Sequence, residues 1–142
     1  MYCYKYPHPA VTADCIVFSQ EDDTIFILLI KRKNEPYKDC WAFPGGFVNI
    51  EESAEDAAIR ELKEETGLEI SKIEQLKAYS NPNRDPRERV ITIAFIAHSP
   101  IKDVKGGDDA KEARWFEINN LPPLAFDHEQ ILQDAMNKIH NL

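Results

Sequence analysis

The segment from Gly46 to Leu68 constrains this chain most tightly, because it sets three glutamates at helical spacing between clear start and stop signals. Ser53 is a candidate N-cap, Glu55 and Asp56 fall in the first turn, and Gly67 stands where a C′ glycine would end the helix. On such a helix Glu61, Glu64 and Glu65 are spaced i, i+3, i+4 and project from one side. At about 100° per residue the same arc holds Ala54, Ala57 and Ala58, small residues suited to close packing. The acids are therefore expected toward the protein body and not on an ordinary wet face. Glu61 and Glu65 form a like-charge i, i+4 pair, which costs roughly a few tenths of a kcal/mol. A divalent cation would remove that cost, and carboxylate oxygens are the donors that magnesium or manganese prefer. The ordinary alternative is a solvated helix in which Arg60 bridges Asp56 and Glu64.

The rest of the chain reads as a single domain spanning residues 1–142, with 43 % hydrophobic and 30 % charged residues, enough for a real core. A formal net charge of −8 argues against unspecific binding to nucleic acid or an anionic membrane. It leaves room for a polyanionic substrate held through divalent cations. Cys3, Cys15 and Cys40 form neither a paired set nor a C-x-x-C motif, so a reducing compartment is expected, and no zinc site. The longest apolar run, Ile25 to Ile30, is too short to cross a bilayer. Met1 to Pro9 lacks the apolar core of a signal peptide. A cytoplasmic location follows as the expectation.

Val11 to Phe18 reads as a strand partly buried on both faces, and the β-branched run Thr24 to Ile30 as a central strand. Glu21-Asp22-Asp23 supplies a hairpin turn between them, and Lys31 to Asp39 reads as a loop. Trp41 to Phe47, broken by Pro44-Gly45-Gly46, predicts short strands around a sharp bend. Ile73 to Tyr79, Val90 to His98 and the short Arg114 to Ile118 are strand-like. Asp127 with Gln130 reads as a capping box that opens a last helix, with Ile131, Leu132, Ala135 and Ile139 as its buried stripe. Strands mixed with two helices indicate an α/β fold, a sandwich of helices and a mixed β-sheet.

Gly46, Glu52, Arg60, Glu61, Leu62, Glu64, Glu65, Gly67 and Leu68 together fill every specified position of G-x5-E-x7-R-E-U-x-E-E-x-G-U, where U is a bulky aliphatic. At average residue frequencies the pattern arises by chance less than about once in a billion starting positions. It resembles the box of the Nudix hydrolase family. The resemblance implies an α/β/α sandwich in which Glu61, Glu64 and Glu65 hold Mg2+, or Mn2+, with help from the Gly46 carbonyl. It also implies that Arg60 and Glu52 hold those carboxylates in place. The implied chemistry is metal-assisted attack of water on a pyrophosphate bond, with a carboxylate taking the proton. That base is left open between a box glutamate, Glu64 among them, and an acid of a later segment. Glu112 leads that second group, with Asp108 and Asp109 behind it.

Three further stretches resemble the ADP-ribose pyrophosphatase branch and the Nudix-like domain of NAD-related regulators. They are Lys31 to Tyr37 with Trp41 to Phe47, then Ser80 to Arg87, then Leu124 to His128. In this reading Arg32, Arg84, Arg87, Phe126 and His128 are candidate substrate contacts. Arg84 and Arg87 would reach a diphosphate or terminal ribose, and Phe126 would stack on a base. Against this, the arginines suit a solvated loop, Phe126 suits a hydrophobic staple, and His128 could simply be exposed. Trp41 and Phe47 are expected in the core. The regulators carry a winged helix after this domain, whereas this sequence stops at Leu142, which favours an enzyme over a sensor. ADP-ribose is the expected substrate. A nucleoside triphosphate is the runner-up, and a non-catalytic ADP-ribose-sensing module stands as the alternative from another class. Association into a homodimer stays open.

Overall fold

The computed structural model describes residues 1–107 and 110–140. In chain order it contains β1 (Ala10–Glu21), β2 (Thr24–Arg32), β3 (Trp41–Ala42), β4 (Gly45–Phe47), α1 (Ala54–Thr66), β5 (Glu74–Tyr79), β6 (Val90–His98), β7 (Ala110–Glu117) and α2 (His128–His140). The strands form one mixed sheet in the order β3-β2-β1-β6-β5, with β4 also pairing with β1 and β7 with β2. Only β1 and β6 run parallel among the described pairs, from Ala10↔Val90 to Phe18↔His98. β1 turns into β2 through Asp22 and Asp23, with Asp22 at φ 55, a left-handed turn that aspartate tolerates.

The continuous apolar runs of β1 and β2 are explained by burial on both sheet faces. Ile16, Phe18, Ile27 and Leu29 pack with Ile131, Leu132 and Ala135 of α2. The alternate residues Ala13, Cys15, Val17 and Leu28 pack with Ala57, Ala58 and Leu62 of α1. Each helix therefore covers one face, which is the expected α/β/α sandwich. A slip of one residue would exchange the two sets, so the register is strongly specified. Burial pushes the Cys15 thiol up to about 12, which leaves it an inert core residue.

Several element ends differ from the sequence reading. β2 runs on through Lys31 and Arg32, because Arg32 N–H finds the Cys40 carbonyl at 2.9 Å and the strand keeps a partner. β7 begins at Ala110, four residues earlier than expected, because it pairs along the length of β2 up to Arg32. The expected capping box at Asp127 is replaced by an ion pair, since both carboxylate oxygens accept from Arg84. Phe47 is exposed, not core, because β4 is short and lies at the rim of the sheet.

Candidate active site

Ser53 caps α1 as expected, its Oγ accepting from the Asp56 N–H at 3.1 Å, and Gly67 ends it at φ 80. The helix thereby presents its acids to the β1–β4 region. Arg60 organises them. Its Nη2 and Nε donate to Glu52 at 2.6 and 3.0 Å, and Nη1 donates to both Glu61 at 2.8 Å and Glu64 at 3.1 Å. Nη2 also reaches the Phe47 carbonyl at 3.1 Å. The bridge to Asp56 that an ordinary solvated helix would have is thus replaced by one to the acids of the motif. The Arg60 hydrogen bonds, with one from the Asn49 amide, hold the Glu52 carboxyl below its ordinary range. One nitrogen shared by Glu61 and Glu64 keeps those two oxygens close together.

Glu65 is buried and its Oε1 accepts from the Gly45 amide at 2.7 Å. Glu61 closes on the neighbouring glycine. A Cβ on Gly46 would stand 2.6 Å from the Glu61 carboxyl carbon, so only glycine lets this carboxylate lie against the backbone. Glu64 sits farther out, with 42 % of its side chain exposed. The acids thus face inward in part, with Glu61 and Glu65 lining a cleft of about 490 Å³ and Glu64 outside that lining.

The donor set suits a hard divalent cation, being carboxylates beside an approachable carbonyl-bearing turn. Among the described residues no three His, Cys, Asp or Glu side chains close into a ready-made cage.

The same cleft is also lined by basic and aromatic side chains. Arg87 is clamped by Asp85, with Nη2–Oδ2 at 2.7 Å and Nε–Oδ1 at 3.1 Å, and its guanidinium lies 5.5 Å from the Phe47 ring and 5.6 Å from Phe126. Arg32 stacks on Phe126 at 4.9 Å and donates to the Pro36 carbonyl. Phe126 adopts φ 51, a conformation rare for a bulky residue, here framed by Arg32, Arg87 and Tyr37. Arg32, Arg87 and Phe126 thus come together as expected.

Three expectations change in detail. Arg84 is buried and makes a bidentate pair with Asp127, so it is a wall of the cleft and not a solvated loop residue. His128 is buried as well, because its Nδ1 accepts the Phe43 amide at 3.1 Å and its ring stacks on Phe43 at 4.9 Å. Glu112 lies on β7 opposite Lys31 and pairs with Arg114, outside the cleft lining. Asp108 and Asp109 lie outside the described residues. The sequence reading missed the buried polar residues Asp14, Asp85 and Thr92. A charged residue inside the apolar run of β1 was the available signal for Asp14.

Burial holds the His128 imidazole below its ordinary value of 6.5. The unfolded chain takes up that proton first, so this contribution to stability is present above pH 6.5 and is lost as the pH falls below it. The unfolding free energy is expected to drop as the pH falls below about 6.5, with a slope of up to about 1.4 kcal/mol per pH unit from this group. Urea titrations of wild type and His128→Asn across that window check it. An equal slope in both proteins would assign the dependence elsewhere.

The comparisons with known proteins agree with this geometry. The family model described as NUDIX domain matches residues 8–135. The chain belongs to the Nudix family, and its class is that of the Nudix hydrolases. It is 55 % identical over 132 residues to an ADP-ribose pyrophosphatase of Methanocaldococcus jannaschii, covering 92 % of this chain and 75 % of that one. The solved structure of a MutT/nudix family protein from Enterococcus faecalis superposes with a TM-score of 0.92 at 36 % identity, over 99 % of this chain and 66 % of the other. The Nudix domain of Shewanella oneidensis NrtR, complexed with ADP ribose, gives 0.89 at 29 % identity over 94 % and 90 %.

Proposed function

We propose that this hydrolase cleaves the diphosphate of ADP-ribose to AMP and ribose 5-phosphate, with a divalent cation held by Glu61, Glu64, Glu65 and the Gly46 carbonyl. The carrying observation is one cleft lined both by box acids and by a guanidinium-aromatic set. A diphosphate flanked by a sugar on each side needs contacts on both sides of the scission point. The similarity to an ADP-ribose pyrophosphatase and to an ADP-ribose-bound domain supports the same substrate.

A bound cation supplies neutralisation of the phosphate oxygens and a more acidic water. Magnesium fits these oxygen donors, and manganese fits them too. The chain's own residues do the rest. Glu52 fixes Arg60, and Arg60 fixes Glu61 and Glu64 in mutual register. Glu65 is set by the Gly45 amide. As water attacks phosphorus and the anhydride oxygen departs with the bonding pair, a box carboxylate, Glu64 in our assignment, takes the water proton. The Arg60 nitrogen that it shares with the cleft-lining Glu61 supports it over Glu112, which is tied to Arg114. Arg32 and Arg87 bind the polyanion by charge-assisted bonds, and Phe126 offers its ring to a base.

We place this activity in the cytoplasm, on a small nucleotide. The three cysteines are all free, which suits a reducing interior. No helix among the described residues is long and apolar enough to cross a membrane. Measuring kcat/KM for ADP-ribose, 8-oxo-dGTP, CTP and a nucleotide sugar under one metal condition tests the substrate. ADP-ribose is expected to lead. A triphosphate ahead by about tenfold would overturn the assignment, since one lost buried polar contact is worth about that factor. Binding of ADP-ribose without formation of AMP would instead indicate a sensor.

A further inference from the structure

Beside the box acids the cleft holds a carboxylate that the mechanism above does not use. Asp14 lies in the middle of β1, lines the cleft, and has only 10 % of its side chain exposed. Its Oδ2 accepts from the Thr92 hydroxyl at 2.7 Å. His128 also stands beside it. Because Nδ1 of that ring accepts the Phe43 amide, its neutral form carries the proton on Nε2, which stands 3.7 Å from Asp14 Oδ2, beyond hydrogen-bond reach. Oδ1 receives no hydrogen bond from any described residue and lies where a Cβ on Gly45 would be. A carboxylate so enclosed in a cleft wall, with one oxygen that accepts no hydrogen bond from the described residues, is costly unless a ligand donates to it.

Its neighbourhood defines the ligand. β1 pairs Asp14 with Gly45, and the Gly45 amide is the donor to Glu65. Asp14 is therefore one residue across from the carboxylates that face the scissile diphosphate. In ADP-ribose, the groups attached directly to the diphosphate are two riboses, which carry hydroxyl donors. In a triphosphate, one of these flanks is a terminal phosphate, which is anionic and supplies only acceptors.

We propose that Asp14 is a specificity-determining residue, its Oδ1 accepting a hydrogen bond from a ribose hydroxyl next to the diphosphate and its charge disfavouring a terminal phosphate. The assignment rests on the substrate reading above. Gly45 seats the carboxylate, because a Cβ there would collide with Asp14 Oδ1 as well as with the Ala13 carbonyl and the Asp14 backbone.

The test is a cycle between the protein and analogues of ADP-ribose that each lack one ribose hydroxyl. In the wild type one analogue is expected to lose about ten- to a hundredfold in kcat/KM, the range of a hydrogen bond to a charged buried group. Asp14→Ala should lose a similar factor on ADP-ribose itself and show no further loss with that analogue. The ratio of ADP-ribose to CTP turnover should fall by the same factor, with CTP turnover not reduced. Asp14→Asn keeps the volume and a bond to Thr92. Should the alanine variant fail to fold, it carries the same cycle with a loss of about threefold or more, because removing the charge weakens the bond. Equal analogue penalties in wild type and variant overturn the assignment, as does a parallel fall of ADP-ribose and CTP turnover. Wild-type protein that does not hydrolyse ADP-ribose overturns the substrate reading and this assignment together, so the two failures are told apart by the wild-type rate.

Discussion

Replacing Glu64 by glutamine is expected to lower kcat by about 10²–10⁴-fold, the usual worth of a positioned proton acceptor, with the protein still folded. Excess chelator should stop the wild type to a comparable extent, because three acids and a carbonyl without a His or Cys partner offer a site for a hard cation only. The substitution keeps the shape of the side chain and removes its charge. Glu64 is partly exposed and has a single hydrogen bond from Arg60 at 3.1 Å. Arg60 retains its bonds to Glu52, to Glu61 and to the Phe47 carbonyl, so the arrangement of the other acids survives. Removal of one acid from a crowded set changes stability by about 0.5 kcal/mol or less in either direction. The readout is kcat at saturating substrate beside the melting temperature. Near-normal kcat in the variant, or full turnover in chelator, withdraws the role from the residue or from the cation respectively.

The box was legible because its chemistry and its local structure coincide in one continuous segment. Ser53, Gly67 and the glutamate spacing are local signals, and the helix they predict is the helix observed. The two central strands were legible for the same reason, since a run such as Ile25 to Ile30 has no polar residue to place in water. What the sequence did not reveal is set by contacts between distant segments. Asp127 has the appearance of a helix cap, and only the fold brings Arg84, 43 residues earlier in sequence, to claim its carboxylate. His128 follows that aspartate and reads as exposed, yet it hydrogen-bonds to the Phe43 amide across 85 residues. Glu112 was attractive as an acid before a strand. It turned out to be within the strand, because the length of β7 is set by its pairing with β2 and not by its own polar sequence. Phe47 erred in the other direction, since its hydrophobicity says nothing of its place at a rim.

The two arginines of the Ser80 to Arg87 loop, alike in sequence, should part in experiment. Arg84 has 4 % of its side chain exposed, and its Nε and Nη2 bind Asp127 at 2.9 and 2.7 Å. Burial would lower its pKa, but the Asp127 hydrogen bonds and the nearby Asp14 and Asp85 outweigh this and raise it. Removing the guanidinium leaves these acids facing one another without their cation. A fully buried ion pair broken on one side costs about 3–5 kcal/mol, and water at the quarter-exposed Asp127 reduces this to about 2–4 kcal/mol. Arg84→Ala is therefore expected to lower the unfolding free energy by that amount. Arg84→Lys should recover only part of it, since one ammonium cannot serve both oxygens at this geometry. Pairing Arg84→Met with Asp127→Leu should cost less than Arg84→Met alone, because no unpaired charge remains. Arg87 carries a different expectation. Its side chain is 38 % exposed on the cleft between Phe47 and Phe126, so Arg87→Ala should raise KM for ADP-ribose about tenfold or more with a smaller change in kcat. It should also lower stability, though less than Arg84→Ala, because the buried Asp85 loses the guanidinium and keeps the Arg87 amide. Urea denaturation and steady-state kinetics on both variants decide the division. If Arg84→Ala folds as well as the wild type and only KM moves, Arg84 is a ligand to the substrate and its pairing with Asp127 gives way when the substrate binds.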